Sequence, residues 1–172
     1  MNIEDYQLVN EKHPILRTPT NQVDLDNPPF DLSLFSNIMK DLLIKYKGLG
    51  LSANQIGVPY SIFVFGNPEQ KNDLITMINP RIVSTFGKSV YMMEGCLSFP
   101  SLMIKIKRPE GIRVRYVNEF NQTMTTKFEG MSARVIQHET DHLNGITFLE
   151  RASLFHKDQA LRKRKTIRRL SK

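Results

Sequence analysis

The stretch VIQHETDHLNG, residues 135–145, places His138 and His142 four residues apart with Glu139 directly after the first histidine. On a helix this spacing projects both imidazoles from one face, one turn apart, within reach of a single metal ion. Glu139 is rotated about 100° from His138, so its carboxylate can bond a water on the ion rather than the ion itself. The pattern points to metal-assisted hydrolysis. The plainer alternative is a pair of satisfied core or surface histidines. Met131 and Val135 precede His138 at steps of four and three, so the face is apolar before the first histidine, and buried histidines there need partners.

Two histidines do not complete such a site, because catalytic metal sites commonly take three protein ligands and leave a position for water. Cys96, in MEGCLSFPS, is the one soft candidate; His13 in a proline-broken leader and His156 at the start of a basic tail are the alternatives. With no second cysteine an internal disulfide is excluded, and Cys96 is an inert thiol, a nucleophile or a ligand. As a ligand it would bring more electron density than a third imidazole and make a ferrous site sensitive to oxidation.

The elements that must position these groups are legible in outline. Pro14, Pro19, Pro28 and Pro29 break the leader into an extended surface loop. After Asp31, a capping residue, Leu34, Phe35, Ile38, Met39, Leu42, Leu43 and Tyr46 recur at helical spacing until Gly48. Short β-type runs follow at 61–66, 73–79, 81–86 and 88–93. Strict alternation then sets Ile104, Ile106, Ile112, Val114 and Tyr116 on one face, with Lys and Arg on the other. NEFNQ, 118–122, reads as a hairpin turn, and the absence of helix-length crossovers makes the pairing antiparallel. A helix from near Met131 to a left-handed cap at Gly145 carries the histidines, and ITFLE, 146–150, reads as a further strand. The fold class is α+β, with antiparallel sheets packed around the central HExxH helix and a C-terminal helix.

At 172 residues, 40% hydrophobic and 24% charged, the chain suits one globular domain. No apolar run approaches a membrane span, and the acidic N-terminal stretch has no apolar signal core, so a cytoplasmic location is expected. The formal charge of +7 is concentrated: residues 156–172 hold eight Lys or Arg and one Asp, and the rest balances. A catalytic unit over 1–155 and a basic helical tail over 156–172 are therefore expected.

Three segments, in order and separation, resemble the motifs of the peptide deformylases: GLGLSANQIG at 48–57, EGCLSFP at 94–100 and QHETDHLNG at 137–145. HPILRTP and IKRPEGIRVRY are also similar to that family, so the likeness runs from about residue 13 to about residue 150. The resemblance implies removal of the formyl group from N-terminal formylmethionine of nascent polypeptides, releasing formate. It implies that Cys96, His138 and His142 hold Fe²⁺, replaceable by Zn²⁺ or Ni²⁺. Glu139 would then take a proton from the attacking water and return it to the leaving amine. The Gln55 side chain and the Leu97 backbone N–H would stabilise the oxyanion.

Other residues fit around that scheme. Gly48 and Gly50 leave room for a peptide, and GLGL could pair with an extended substrate, although the same glycines could simply stop a helix. Leu49, Met131 and Val135 could wall a methionine pocket or be ordinary core. Glu94, Arg108 and Asp141 could form an ionic network behind the ligands or be surface pairs. Three departures stand out: Ser52 where the family commonly has Ala, Lys47 where an acidic residue is frequent, and Arg134 where some members are apolar, which puts a charge at the rim of the methionine pocket. The tail could be a solvated helix or contact ribosomal RNA through phosphates. Rival functions are a hydrolase of another small amide and a nucleic-acid-binding module with a vestigial site.

Overall fold

The computed structural model describes residues 1–170; Ser171 and Lys172 of the basic tail lie outside the described residues. The first helix, α1 (Leu32–Tyr46), starts where Asp31 accepts the Leu34 N–H at 2.9 Å. It ends at Lys47, which turns left-handed at φ 52°. Its apolar stripe, Phe35, Ile38, Met39, Leu42 and Leu43, is buried against Leu51, Ile62, Val64 and Ile78.

Five strands form one antiparallel sheet in chain order: β1 (Gly50–Ser52), β2 (Ile62–Phe65), β3 (Ile75–Gly95), β4 (Met103–Val117) and β5 (Thr123–Glu129). The runs expected separately at 73–79, 81–86 and 88–93 join as the single strand β3. Its pairing with β4 shifts register between Ile78 and Arg81, Ile82 and Ser84, and Phe86 and Ser89. The punctuation at Pro80 and Gly87 thus marks bulges that bend a long strand, not turns that end a short one. The alternation in β4 holds: Ile104, Ile106, Ile112, Val114 and Tyr116 are all buried.

The second helix, α2 (Gly130–Leu143), packs its Ala133 and Ile136 against Phe63, Met77, Ile112 and Val114 of the sheet. It ends at Asn144, and Gly145 follows left-handed at φ 70°. ITFLE is not a strand. Residues Phe148–Arg151 form the short helix α3, with Thr147 as N-cap and the Glu150 carboxylate accepting the Thr147 N–H at 2.8 Å. That T-x-x-E capping box was present in the sequence and outweighs the β-branched pair before it.

The tail forms α4 (Leu154–Leu170), which starts two residues before His156. Ala160 packs with Leu102, Ile104, Ile106 and Phe148, and buried Arg164 pairs with Glu11. The leader is more firmly fastened than an extended surface loop implies. Asn79, left-handed at φ 49°, exchanges 2.8 Å side-chain hydrogen bonds with both backbone groups of Val23, and Thr20 bonds the Leu143 carbonyl. No helix among the described residues is long and apolar enough to cross a membrane.

Candidate active site

Three elements converge on the chemistry. Helix α2 brings His138, Glu139 and His142; the end of β3 delivers Glu94 and then Cys96; and β1 runs into a single 3-10 turn, Ala53–Ile56, that carries Gln55. Among the described residues, Cys96, His138 and His142 are the one group of three whose ligand atoms lie within 4.8 Å of one another. The Cys96 Sγ stands 3.2 Å from His142 Nε2, and the two imidazole rings are 5.0 Å apart. The other two histidines are used elsewhere: His13 Nδ1 accepts the Ile15 N–H in a leader turn, and His156 pairs with Ser153 at the start of α4.

The polar side of α2 is turned inward. His138, Glu139, Asp141 and His142 are 8%, 3%, 6% and 0% exposed, so the reading of them as surface groups fails. Their partners form a continuous ionic chain. Arg108 clamps Glu94 with Nε to Oε1 at 2.7 Å and Nη2 to Oε2 at 2.9 Å, and reaches Asp141 with Nη1 at 2.6 Å. Glu94 Oε2 in turn meets His138 Nδ1 at 3.1 Å, which leaves Nε2 as the ring nitrogen facing the cluster. Glu94, Arg108 and Asp141 are thus a buried network and not the surface pairs that were the alternative.

Two members of this chain were missed in the sequence. Arg151 of α3 closes on Asp141 with Nε at 3.0 Å and Nη2 at 2.5 Å. Arg134, instead of loading the pocket rim with a free charge, is 4% exposed and bonds Glu94 and two strand carbonyls. No spacing rule could have found either, because their partners lie on other elements.

The electrostatics follow from burial and pairing. Burial alone would raise the Glu94 carboxyl, but hydrogen bonds from His138 and Arg108 and their charge hold it well below the usual carboxylate range. Burial opposes protonation of His138, yet its interactions with Cys96 and Glu94 and the charge of Glu139 raise it to about 10. His142 goes the other way, pushed well below the ordinary imidazole value by burial and by the charge of His138. Burial pushes Glu139 up to about 7 against the lowering charge of His138. Its Oε2 is buried with no hydrogen-bond partner, so it is free to bond a water.

Gln55 is oriented from behind. Its Oε1 accepts the Ser52 N–H at 2.9 Å and lies 3.0 Å from the Ser52 hydroxyl, so its Nε2 is aimed at Ser98 Oγ, 3.2 Å, and Cys96 Sγ, 3.4 Å. The hydroxyl of Ser52, present where the family commonly has Ala, therefore helps to fix that amide. Asn54, also unremarked in the sequence, donates to the His142 carbonyl at 2.6 Å and ties this turn to α2.

A cavity of about 420 Å³ opens over the cluster, walled by Leu49, Gly50, Met93, Leu97, Met131 and Val135, with Gln55, Cys96, His138 and Glu139 along it. All four residues expected to contact substrate, Leu49, Gly50, Met131 and Val135, thus line one space together with the chemical groups. Gly50 is required there. A Cβ would meet Glu139 Oε1 at 2.5 Å and Val135 Cγ1 at 2.7 Å, so any side chain would displace the carboxylate.

The donor set fits a divalent transition metal. One sulfur and two imidazoles suit Zn²⁺ or Fe²⁺ better than an oxygen-seeking ion.

Residues 6–158 match the family model described as polypeptide deformylase. The chain is 39% identical over 153 residues to a peptide deformylase of Aquifex aeolicus, spanning 87% of this chain and 88% of that protein. Among solved structures, a peptide deformylase from Legionella pneumophila superposes with a TM-score of 0.84 at 31% identity, covering 96% of each chain. One from Synechococcus elongatus, in complex with actinonin, gives 0.85 at 31% identity, covering 93% of this chain and 88% of that one. The chain belongs to the peptide deformylases, the metal-dependent hydrolases that remove the N-formyl group from the formylmethionine of nascent polypeptides.

Proposed function

We propose that Cys96, His138 and His142 hold the metal in this chain, that the ion is Fe²⁺, with Zn²⁺ or Ni²⁺ able to substitute, and that Glu139 is the general base. The single observation that carries this assignment is the unpartnered, buried Oε2 of Glu139 next to the three clustered ligand atoms. When bound, the ion supplies Lewis acidity that polarises the formyl oxygen and makes water a better nucleophile. Glu139 receives the proton as the water oxygen bonds the formyl carbon. It passes that proton to the nitrogen as the C–N bond breaks, releasing formate and a free amine. The Nε2–H₂ of Gln55 and the backbone N–H of Leu97 stabilise the oxygen that gains charge.

Substrate positioning follows from the same cavity. The peptide backbone adds to the free edge of β1 beside Gly50, and Leu49, Met131 and Val135 receive the methionine side chain. Glu94, Arg108 and Asp141 fix the tautomer and ring plane of His138. The basic tail, residues 156–172, contacts ribosomal RNA through the exposed cations among its described residues, which suits a cytoplasmic enzyme meeting chains as they emerge.

Anaerobic turnover of formyl-Met-Ala-Ser by the Fe²⁺ form, with Glu139→Gln as control, is the direct test. Formate release that drops by about 10²-fold or more in the variant is expected. Stoichiometric metal without formate release from the unaltered chain would overturn the reading. Deletion of 156–172, where the chain still folds, should spare short-peptide turnover while weakening salt-sensitive ribosome binding.

A further inference from the structure

We infer that Arg134 is a positioning residue for the metal site, holding the helix that carries His138 at a fixed distance from the strand that leads into Cys96. The inference rests on the metal-site reading above. Arg134 lies one helical turn before His138, on the same face of α2. Its guanidinium meets three acceptors on two strands: Nη1 reaches Glu94 Oε1 at 2.9 Å and the Ile106 carbonyl at 3.0 Å, and Nη2 reaches the Val90 carbonyl at 2.8 Å. Val90 and Glu94 belong to β3, which ends just before Cys96, and Ile106 belongs to the β4 segment paired with it.

Charge balance alone does not account for this residue. Arg108 already grips both oxygens of Glu94, and Arg108 and Arg151 together answer Asp141. What Arg134 adds is geometry. With Arg108 it leaves Glu94 no freedom to swing away from His138 Nδ1, and its two carbonyl contacts staple the helix to both strands. A planar fork with several donors can meet three acceptors at once, which a lysine ammonium on a flexible stem cannot do in the same arrangement. The side chain also borders the cavity, so the competing account is that it is only a wall of the methionine pocket.

Arg134→Met keeps an unbranched stem against the cavity but loses the fork, and Arg134→Lys keeps the charge. The readouts are the Kd for Zn²⁺ by competition with a chromophoric chelator, the KM and kcat for formyl-Met-Ala-Ser, and the Tm of the metal-free protein. Both variants should bind Zn²⁺ about 10-fold more weakly or worse. At saturating metal, kcat should fall while KM stays within about twofold. Combining Arg134→Met with Glu94→Gln should weaken metal binding by less than the product of the single effects, because one acts through the other.

Unchanged Kd with a raised KM would make Arg134 a pocket wall and overturn the inference. Lowered Tm with unchanged Kd, or full recovery of Kd in Arg134→Lys, would overturn it too. If Arg134→Met does not fold, Arg134→Lys carries the test alone. Failure of the unaltered chain to bind Zn²⁺ would instead break the metal-site reading itself.

Discussion

The arginines behind Cys96, His138 and His142 and those along α4 carry the same charge in opposite surroundings. Arg108 and Arg134 are 5% and 4% exposed, and each bonds a carboxylate with defined geometry. Arg162 has a side chain 81% exposed, and Lys163, Lys165, Arg168 and Arg169 on the same helix are also exposed. In the interior a guanidinium is useful for where it points, because desolvation makes each unmet donor costly. On the tail it is useful for the field it spreads, which acts over about 8 Å at physiological ionic strength and is sensitive to salt. Cations of the interior and of the tail thus sit in two different electrostatic regimes.

That contrast can be broken most forcefully from inside. Arg108→Met leaves Glu94 and Asp141 buried without their shared partner and should cost about 3–5 kcal/mol, read from urea denaturation of the metal-free protein. A loss under about 1 kcal/mol would mean that water reaches the network. Asp141→Asn removes one charge facing two arginines, one of them half exposed, and should cost about 2 kcal/mol by the same measurement.

Arg164 sharpens the comparison, since it belongs to the tail by sequence but to the interior by position, 7% exposed and paired with Glu11. Arg164→Ala should cost about 1 kcal/mol and detach the middle of α4, seen as faster amide exchange in that helix. Smallest of all, single Ala substitutions at Arg162, Lys163, Arg168 or Arg169 should shift stability by under about 0.5 kcal/mol. Under the proposed ribosome contact, each should also flatten the salt dependence of that binding by roughly one phosphate contact. Tail variants as destabilising as Arg108→Met would erase the distinction.

Much of this was readable in the residues. The i, i+4 histidines, the intervening glutamate and Cys96 are local signals, and the structure brings them together with Gln55 and the expected pocket residues. The alternation in β4 and the capped α1 were equally plain, because each reports a periodicity the chain itself carries. Long-range pairing was not visible. Arg134, Arg151 and Asn54 act on residues of other elements, and no spacing encodes a contact between a helix and a strand 40 residues away. The runs at 73–79, 81–86 and 88–93 read as separate strands because local signals cannot tell a bulge at Pro80 or Gly87 from a turn when the partner strand is unknown. ITFLE misled for a different reason: its apolar run outweighed a cap that was there to be read.

The outermost strand of the sheet is only three residues long and hydrogen-bonded on one side, to β2. An edge of that kind, apart from the Ser52 N–H that Gln55 already takes, presents main-chain groups common to nearly every amino acid. Under the proposed docking, main-chain pairing is shared by every client, and selectivity falls to the side-chain pockets beside that edge.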